Sequence, residues 1–102
     1  MAAKIIWSEA ALLDLEGIAA YIGKDSPHFA AIVVDGIVQA VESLQDFPRI
    51  GRIVPEYDRH TLRELIRRPY RIVYRVERDV LGIVAVVHGA RHLPDVLDER
   101  IE

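Results

Sequence analysis

One stretch near the middle constrains the fold most: Arg63-Glu-Leu-Ile-Arg-Arg-Pro-Tyr-Arg-Ile-Val-Tyr-Arg75. It reads as two short strands joined by a tight turn at Arg67-Arg68-Pro69. The second strand alternates. Tyr70, Ile72, Tyr74 and Val76 point one way; Arg71, Val73 and Arg75 point the other. Large apolar side chains on one face and arginines on the other predict a sheet with one covered face and one open, working face. Arg63 and Leu65 of the preceding strand are expected on that open face as well. The rest of the chain must supply the cover.

Two helical segments do so. Ser8 stands where an N-cap belongs, with Glu9 in the first turn, and Ala11, Leu15, Ile18 and Ile22 follow at helical spacing. Asp14 and Glu16 lie off that stripe. Gly23 to Asp25 ends the helix. Ser26-Pro27 restarts it, a capping serine with proline at the first helical position. Ala30, Val33, Val34, Ile37, Val41 and Leu44 then form one side, closing at Phe47-Pro48. The short connection predicts an antiparallel hairpin whose apolar seam covers the sheet.

The remaining strands follow from their apolar runs. Lys4-Ile-Ile-Trp7 is short and β-prone. Thr61–Ile66, Tyr70–Glu77 and Val80–His88 are the later strands, and the last is apolar enough to be central and buried on both faces. Arg49 to His60, punctuated by Gly51 and Pro55, reads as a surface loop. Gly89 lets the chain bend away after His88. Pro94 to Ile101 reads as a short final helix, with Leu93, Leu97 and Ile101 on one stripe. The expectation is an α+β fold of order β-α-α-β-β-β, with a small, mostly antiparallel sheet. At 102 residues, 51% of them apolar, the chain (1–102) is expected to form one domain.

Charge is unevenly placed. Residues 1–48 carry two lysines and seven acids; residues 49–91 carry ten arginines and five acids; residues 92–102 carry one arginine and four acids. The basic region is all arginine, the side chain suited to bidentate contact with carboxylate or phosphate. Two readings stay open: the arginines bind an anionic partner, or they pair with acids of their own chain. Candidate target-binding residues are Arg52, Arg63, Arg71, Arg75 and Arg91. Arg63, Arg71 and Arg91 are also the alternative catalytic set, as stabilisers of a pentacoordinate phosphate. No general base stands beside them, and no catalytic residue is assigned firmly. Ser8, Ser26 and Ser43 have helix roles, and there is no cysteine. His88 and His92 have no ligand partners at metal-site spacing, so neither metal nor cofactor is expected. No apolar run spans a bilayer, and the N-terminus lacks a signal-peptide pattern, so the expected location is the cytoplasm.

Leu62-Arg-Glu-Leu, Pro69-Tyr-Arg-Ile-Val-Tyr-Arg-Val and Val86-Val-His-Gly-Ala-Arg resemble the RelE/ParE toxins of type II toxin–antitoxin modules. So do Trp7-Ser-Glu-Ala, Asp14-Leu15, Tyr21-Ile22 and the loop Phe47-Pro-Arg-Ile-Gly-Arg. The resemblance covers nearly the whole chain. It implies a growth-arresting toxin of a plasmid-stabilisation type module, held in a hetero-oligomer by a cognate antitoxin. RelE-like members cleave mRNA on the ribosome with basic residues on the open sheet face and, in some, a tyrosine or histidine near the C-terminus. Here Arg63, Arg71 and Arg91 stand near such positions. Leu65 stands where a second basic residue is expected, Leu97 near the terminal tyrosine, and no lysine follows Lys24. These departures point to the ParE branch, which the resemblance associates with inhibition of DNA gyrase. Ile32, Val38, Leu93, Leu97 and Ile101 are the expected antitoxin-binding surface, as apolar positions beyond what a small sheet needs.

Overall fold

The computed structural model describes residues 3–101. Met1, Ala2 and Glu102 lie outside them, so the reading of the extreme N-terminus rests on sequence alone. The elements are β1 (Lys4–Trp7), α1 (Glu9–Gly23), α2 (Pro27–Glu42) with a 3-10 turn at Ser43–Gln45, β2 (Arg52–Ile53), β3 (Leu62–Arg67), β4 (Tyr70–Val76), β5 (Val80–His88) and α3 (Leu93–Leu97). The fold is α+β, with one five-stranded sheet in the order β1-β5-β4-β3-β2. Only β1 against β5 is parallel; the other neighbours are antiparallel.

The caps act as the sequence predicts. Ser8 Oγ accepts from the Ala11 N–H at 3.0 Å, and Ser26 Oγ accepts from the Phe29 N–H at 3.1 Å. The helical hairpin lies on one face of the sheet. There Ala11, Ile37, Val41 and Leu44 bury against Ile72, Tyr74, Val76, Leu81, Ile83 and Val86. β5 carries an irregularity, because Val73 pairs with Ala85 while Tyr74 pairs with Ile83. The skipped Val84 therefore shares the second face with Ala85 and Val87.

That second face is not open, contrary to expectation. α3 folds back across it, and Leu93, Val96 and Leu97 form a second core with Val54, Leu62, Val73, Val84, Ala85 and Val87. Leu93 and Leu97 are fully buried and Ile101 packs partly against the same cluster. Leu93 and Leu97 are core side chains, not the free antitoxin-binding surface that their spacing suggested, and Ile101 is partly spent on the same cluster. A stripe at helical spacing signals a buried face without saying what buries it.

Two further corrections concern β2 and β3. The stretch Arg49–His60 is not all loop: Arg52 pairs with Glu64 and Ile53 with Arg63, adding a two-residue edge strand. The β3–β4 register opposes Arg67 to Tyr70, so only Arg68 and Pro69 form the turn. Arg63 lies opposite Tyr74 and Leu65 opposite Ile72. Both therefore share the helix-covered face, not the face of Arg71 and Arg75.

Candidate functional site

β3 and β4 present Glu64, Ile66, Arg71 and Arg75 on the second face, next to the part that α3 covers. The centre is Glu64, which the sequence reading passed over. Its side chain is fully buried between two arginines. Arg52 Nε donates to Glu64 Oε2 at 2.6 Å, and Arg71 Nε donates to Oε1 at 2.5 Å. Arg71 turns its other two nitrogens to Glu56, Nη1 to Oε2 and Nη2 to Oε1, each at 2.8 Å. A buried carboxylate is tolerable because both of its oxygens are bonded by guanidinium. The Arg71 hydrogen bonds hold the Glu56 carboxyl down to about 2. In turn, bonds to Glu56 and Glu64 raise Arg71 above the usual guanidinium range. For Arg52 and Arg71, pairing within the chain is the reading that the geometry selects.

The other candidate arginines lie elsewhere. Arg75 Nη2 donates to the Ile101 carbonyl at 3.2 Å and ties down the C-terminal segment. Arg63 lies on the helix-covered face at the β2 edge. Its Nε donates to His60 O, and its Nη1 to Arg49 O and Gly51 O. Arg91 is exposed, in the bend that follows β5. It lines a cleft of about 630 Å³ with Leu13, Tyr21, Tyr70 and His88. Arg63, Arg71 and Arg91 therefore occupy three different places, and the alternative catalytic set is not brought together.

The carboxylates beside Arg71, Glu56 and Glu64, are both engaged by its guanidinium. The Tyr57 hydroxyl donates to Asp98 at the end of α3, and burial together with Asp98 pushes this phenol up to about 12. Burial likewise raises Tyr74, whose hydroxyl accepts from the Gly51 N–H on the other face. His88 Nδ1 accepts from the Ala90 N–H, and the ring sits edge-on to Tyr70 at 5.8 Å. Among the described residues, no group of three or more histidines or acids could hold a metal ion.

Asp14, off the apolar stripe of its helix, has a role that the sequence did not reveal. β1 ends at Trp7 opposite Ile83, leaving the second half of β5 paired with β4 on one side and without a strand on the other. Asp14 Oδ2 accepts from the Val86 N–H on that edge at 3.0 Å. Arg100 pairs with Asp14 at 2.7 Å and donates to the Val84 carbonyl at 3.2 Å. Together they block part of an exposed strand edge.

On the hairpin side, Phe29, Ile32, Val33, Gly36 and Ile37 line a groove of about 440 Å³ closed by Arg67, Arg68 and Tyr70. Ile32 is 53% exposed there, whereas Val38 is half-buried and does not line the groove. Arg67 lies across Gly36, where a Cβ would come within 2.9 Å of its Nη2. Neither Arg67 nor Arg68 has a side-chain hydrogen bond or ion pair among the described residues.

The family described as ParE toxin of type II toxin-antitoxin system, parDE, matches residues 5–93. This chain belongs to the ParE toxin family. Its ParE-family sequence is 44% identical to a toxin candidate, Y4kP of Sinorhizobium fredii, over 96 residues, covering 92% of this chain and 96% of the relative. It is 38% identical to toxin RelE2 of Caulobacter vibrioides over 90 residues, covering 87% and 98% respectively. A solved chain of the chromosomal ParDE toxin–antitoxin system of P. aeruginosa superposes with a TM-score of 0.69 at 26% identity, covering 84% of this chain and 95% of its own. The chain is thus a type II toxin of the RelE/ParE superfamily. No helix among the described residues is long and apolar enough to cross a membrane.

Proposed function

We propose that this ParE-family toxin acts by binding rather than by chemistry, inhibiting DNA gyrase until a cognate antitoxin neutralises it. One observation carries the reading. The two arginines best placed to grip a phosphate are bonded to Glu64 and Glu56, while Arg63 and Arg91 are directed elsewhere. Stabilising a pentacoordinate phosphate needs uncompensated cations converging on one point, with a base in reach. A face whose central arginine, Arg71, is already held between two carboxylates supports a protein-binding role instead.

The antitoxin's docking surface is the hairpin groove. Its floor is apolar, and two arginines without acidic partners among the described residues stand at one end, which suits an amphipathic segment with carboxylates at its end. Ile32 remains in this surface from the sequence reading.

A supercoiling assay tests the function. Folded toxin added to gyrase is expected to suppress supercoiling at near-stoichiometric ratio, and pre-mixed antitoxin to restore it. Full supercoiling in a large excess of toxin would overturn the proposal. Cuts within the codons of translated mRNA, abolished by Arg71→Ala, would favour the ribosome-dependent nuclease instead.

A further inference from the structure

Between the 3-10 turn and β2 the chain passes through Phe47-Pro48-Arg49-Ile50. Phe47 and Ile50 are each 65% exposed, among the most exposed large apolar side chains of the molecule. Their backbone is held from beneath. The Gly51 N–H donates at 3.0 Å to the hydroxyl of Tyr74, a side chain with no solvent exposure. Arg63 Nη1 donates to the carbonyls of Arg49 at 3.2 Å and Gly51 at 3.0 Å. The Ile50 N–H closes a turn onto Phe47 O at 3.2 Å. Gly51 lies so close to the sheet that a Cβ would meet the Tyr74 hydroxyl at 2.5 Å and the Glu64 carbonyl at 2.6 Å. A connecting loop with no other task needs neither a buried phenol and a guanidinium to hold it nor two apolar side chains at its tip.

We infer that this loop is the toxin's anchor on its protein target, inserting Phe47 and Ile50 into an apolar pocket with an acidic rim. The inference rests on the binding mode proposed above. An aromatic and a branched aliphatic side chain on a fixed backbone match the residues that dominate protein interfaces, and the ordering cost is met before contact. The rim follows from the flanking charges, where the exposed guanidiniums of Arg49 and Arg52 outnumber the one carboxylate beside Phe47, Asp46. Arg49 has no side-chain partner among the described residues. Arg52 is 58% exposed and gives only its Nε to Glu64, leaving its outer nitrogens available. The site is separate from the hairpin groove. Ile32 lies ten residues before the end of α2 at Glu42, about 15 Å at helical rise, and the loop begins only after the 3-10 turn that follows. Antitoxin capture and target contact are therefore separable by mutation.

The test is the double substitution Phe47→Ser with Ile50→Ser, beside the wild-type chain. Both side chains are exposed, so the thermal midpoint and antitoxin capture are expected to match wild type. Growth arrest on expression without antitoxin is expected to disappear, and the toxin concentration for half-inhibition of gyrase to rise by at least about 30-fold, as for loss of an interface hot spot. Arg63→Gln keeps both apolar side chains and loosens the loop, so a smaller rise is expected. If arrest and inhibition both survive in the double variant, the anchor is refuted. If antitoxin capture is lost instead, the loop belongs to the antitoxin and the inference also falls. Should the wild type arrest growth without touching gyrase, the gyrase reading fails alone, and the double variant's effect on arrest still decides the anchor. A wild-type chain that neither arrests growth nor inhibits gyrase refutes both.

Discussion

On one face of the sheet, Ile72, Tyr74 and Val76 meet two helices of 15 and 16 residues; on the other, Val73 and Val87 meet a helix of five, and Arg71 meets two carboxylates. The same strands supply both faces through alternate residues, so the contrast comes from what covers them. The hairpin face is closed by apolar area, which responds weakly to pH and salt. The second face combines a small apolar cluster with an ion network around a fully buried glutamate. Such a network is held by the mutual satisfaction of its members, and removal of one exposes the rest.

The largest expected effect breaks that network. Glu64→Ala leaves Arg71 mostly buried with Glu56 alone and Arg52 unpaired, and is expected to lower unfolding stability by about 3–5 kcal/mol, as for one partner of a buried pair. Urea unfolding at pH 7 measures it. A loss below about 1 kcal/mol would mean that the second face is held by α3 alone.

The next comparison sets one core against the other. Ile37→Ala removes a fully buried side chain beneath the hairpin and is expected to cost about 3–4 kcal/mol globally. Leu97→Ala removes an equally buried side chain from a five-residue helix, whose undocking need not unfold the sheet. Its expected global cost is smaller, about 2 kcal/mol, with faster amide exchange confined to the last nine or so residues. Equal global losses with no local exchange change would show that the two faces unfold as one unit.

What could be read from the sequence divides along the same line. β1 and β5 were legible to the residue, because Lys4–Trp7 and Val80–His88 are apolar runs bounded by polar or turn residues. α1 and α2 were marked by Ser8 and by Ser26-Pro27. The alternation of Tyr70, Ile72 and Tyr74 against Arg71 and Arg75 holds. Arg63 was misplaced through one residue of turn length. A turn beginning at Arg67 puts Arg63 on the face of Arg71, whereas the observed Arg68-Pro69 turn moves it to the other side. β2 exists only because β3 offers it an edge, which no two-residue stretch can announce. Glu64 escaped notice because an acid in an alternating strand is normally solvated, and its burial depends on Arg52 and Arg71 arriving from other strands. α3 showed its apolar stripe but not its destination.

The smallest effect is the most selective for the ion network. In the folded chain the Glu56 carboxyl sits at about 2, against an ordinary value of 4.5, because Arg71 hydrogen-bonds its charged form. A lowered carboxyl stabilises the fold fully above its unfolded pKa. The contribution shrinks as pH falls below about 4.5 and is gone once it passes below about 2. Glu56 is about a third exposed, so solvent limits its worth to about 1 kcal/mol or less. Glu56→Gln is therefore expected to lose that amount at pH 7 and to flatten the fall in stability between pH 5 and pH 2. Thermal melts of both proteins at each half unit of pH would measure the difference. Parallel curves across that window would mean that Glu56 contributes no charge-dependent hold on Arg71, and that Glu64 alone fixes the arginine on this face.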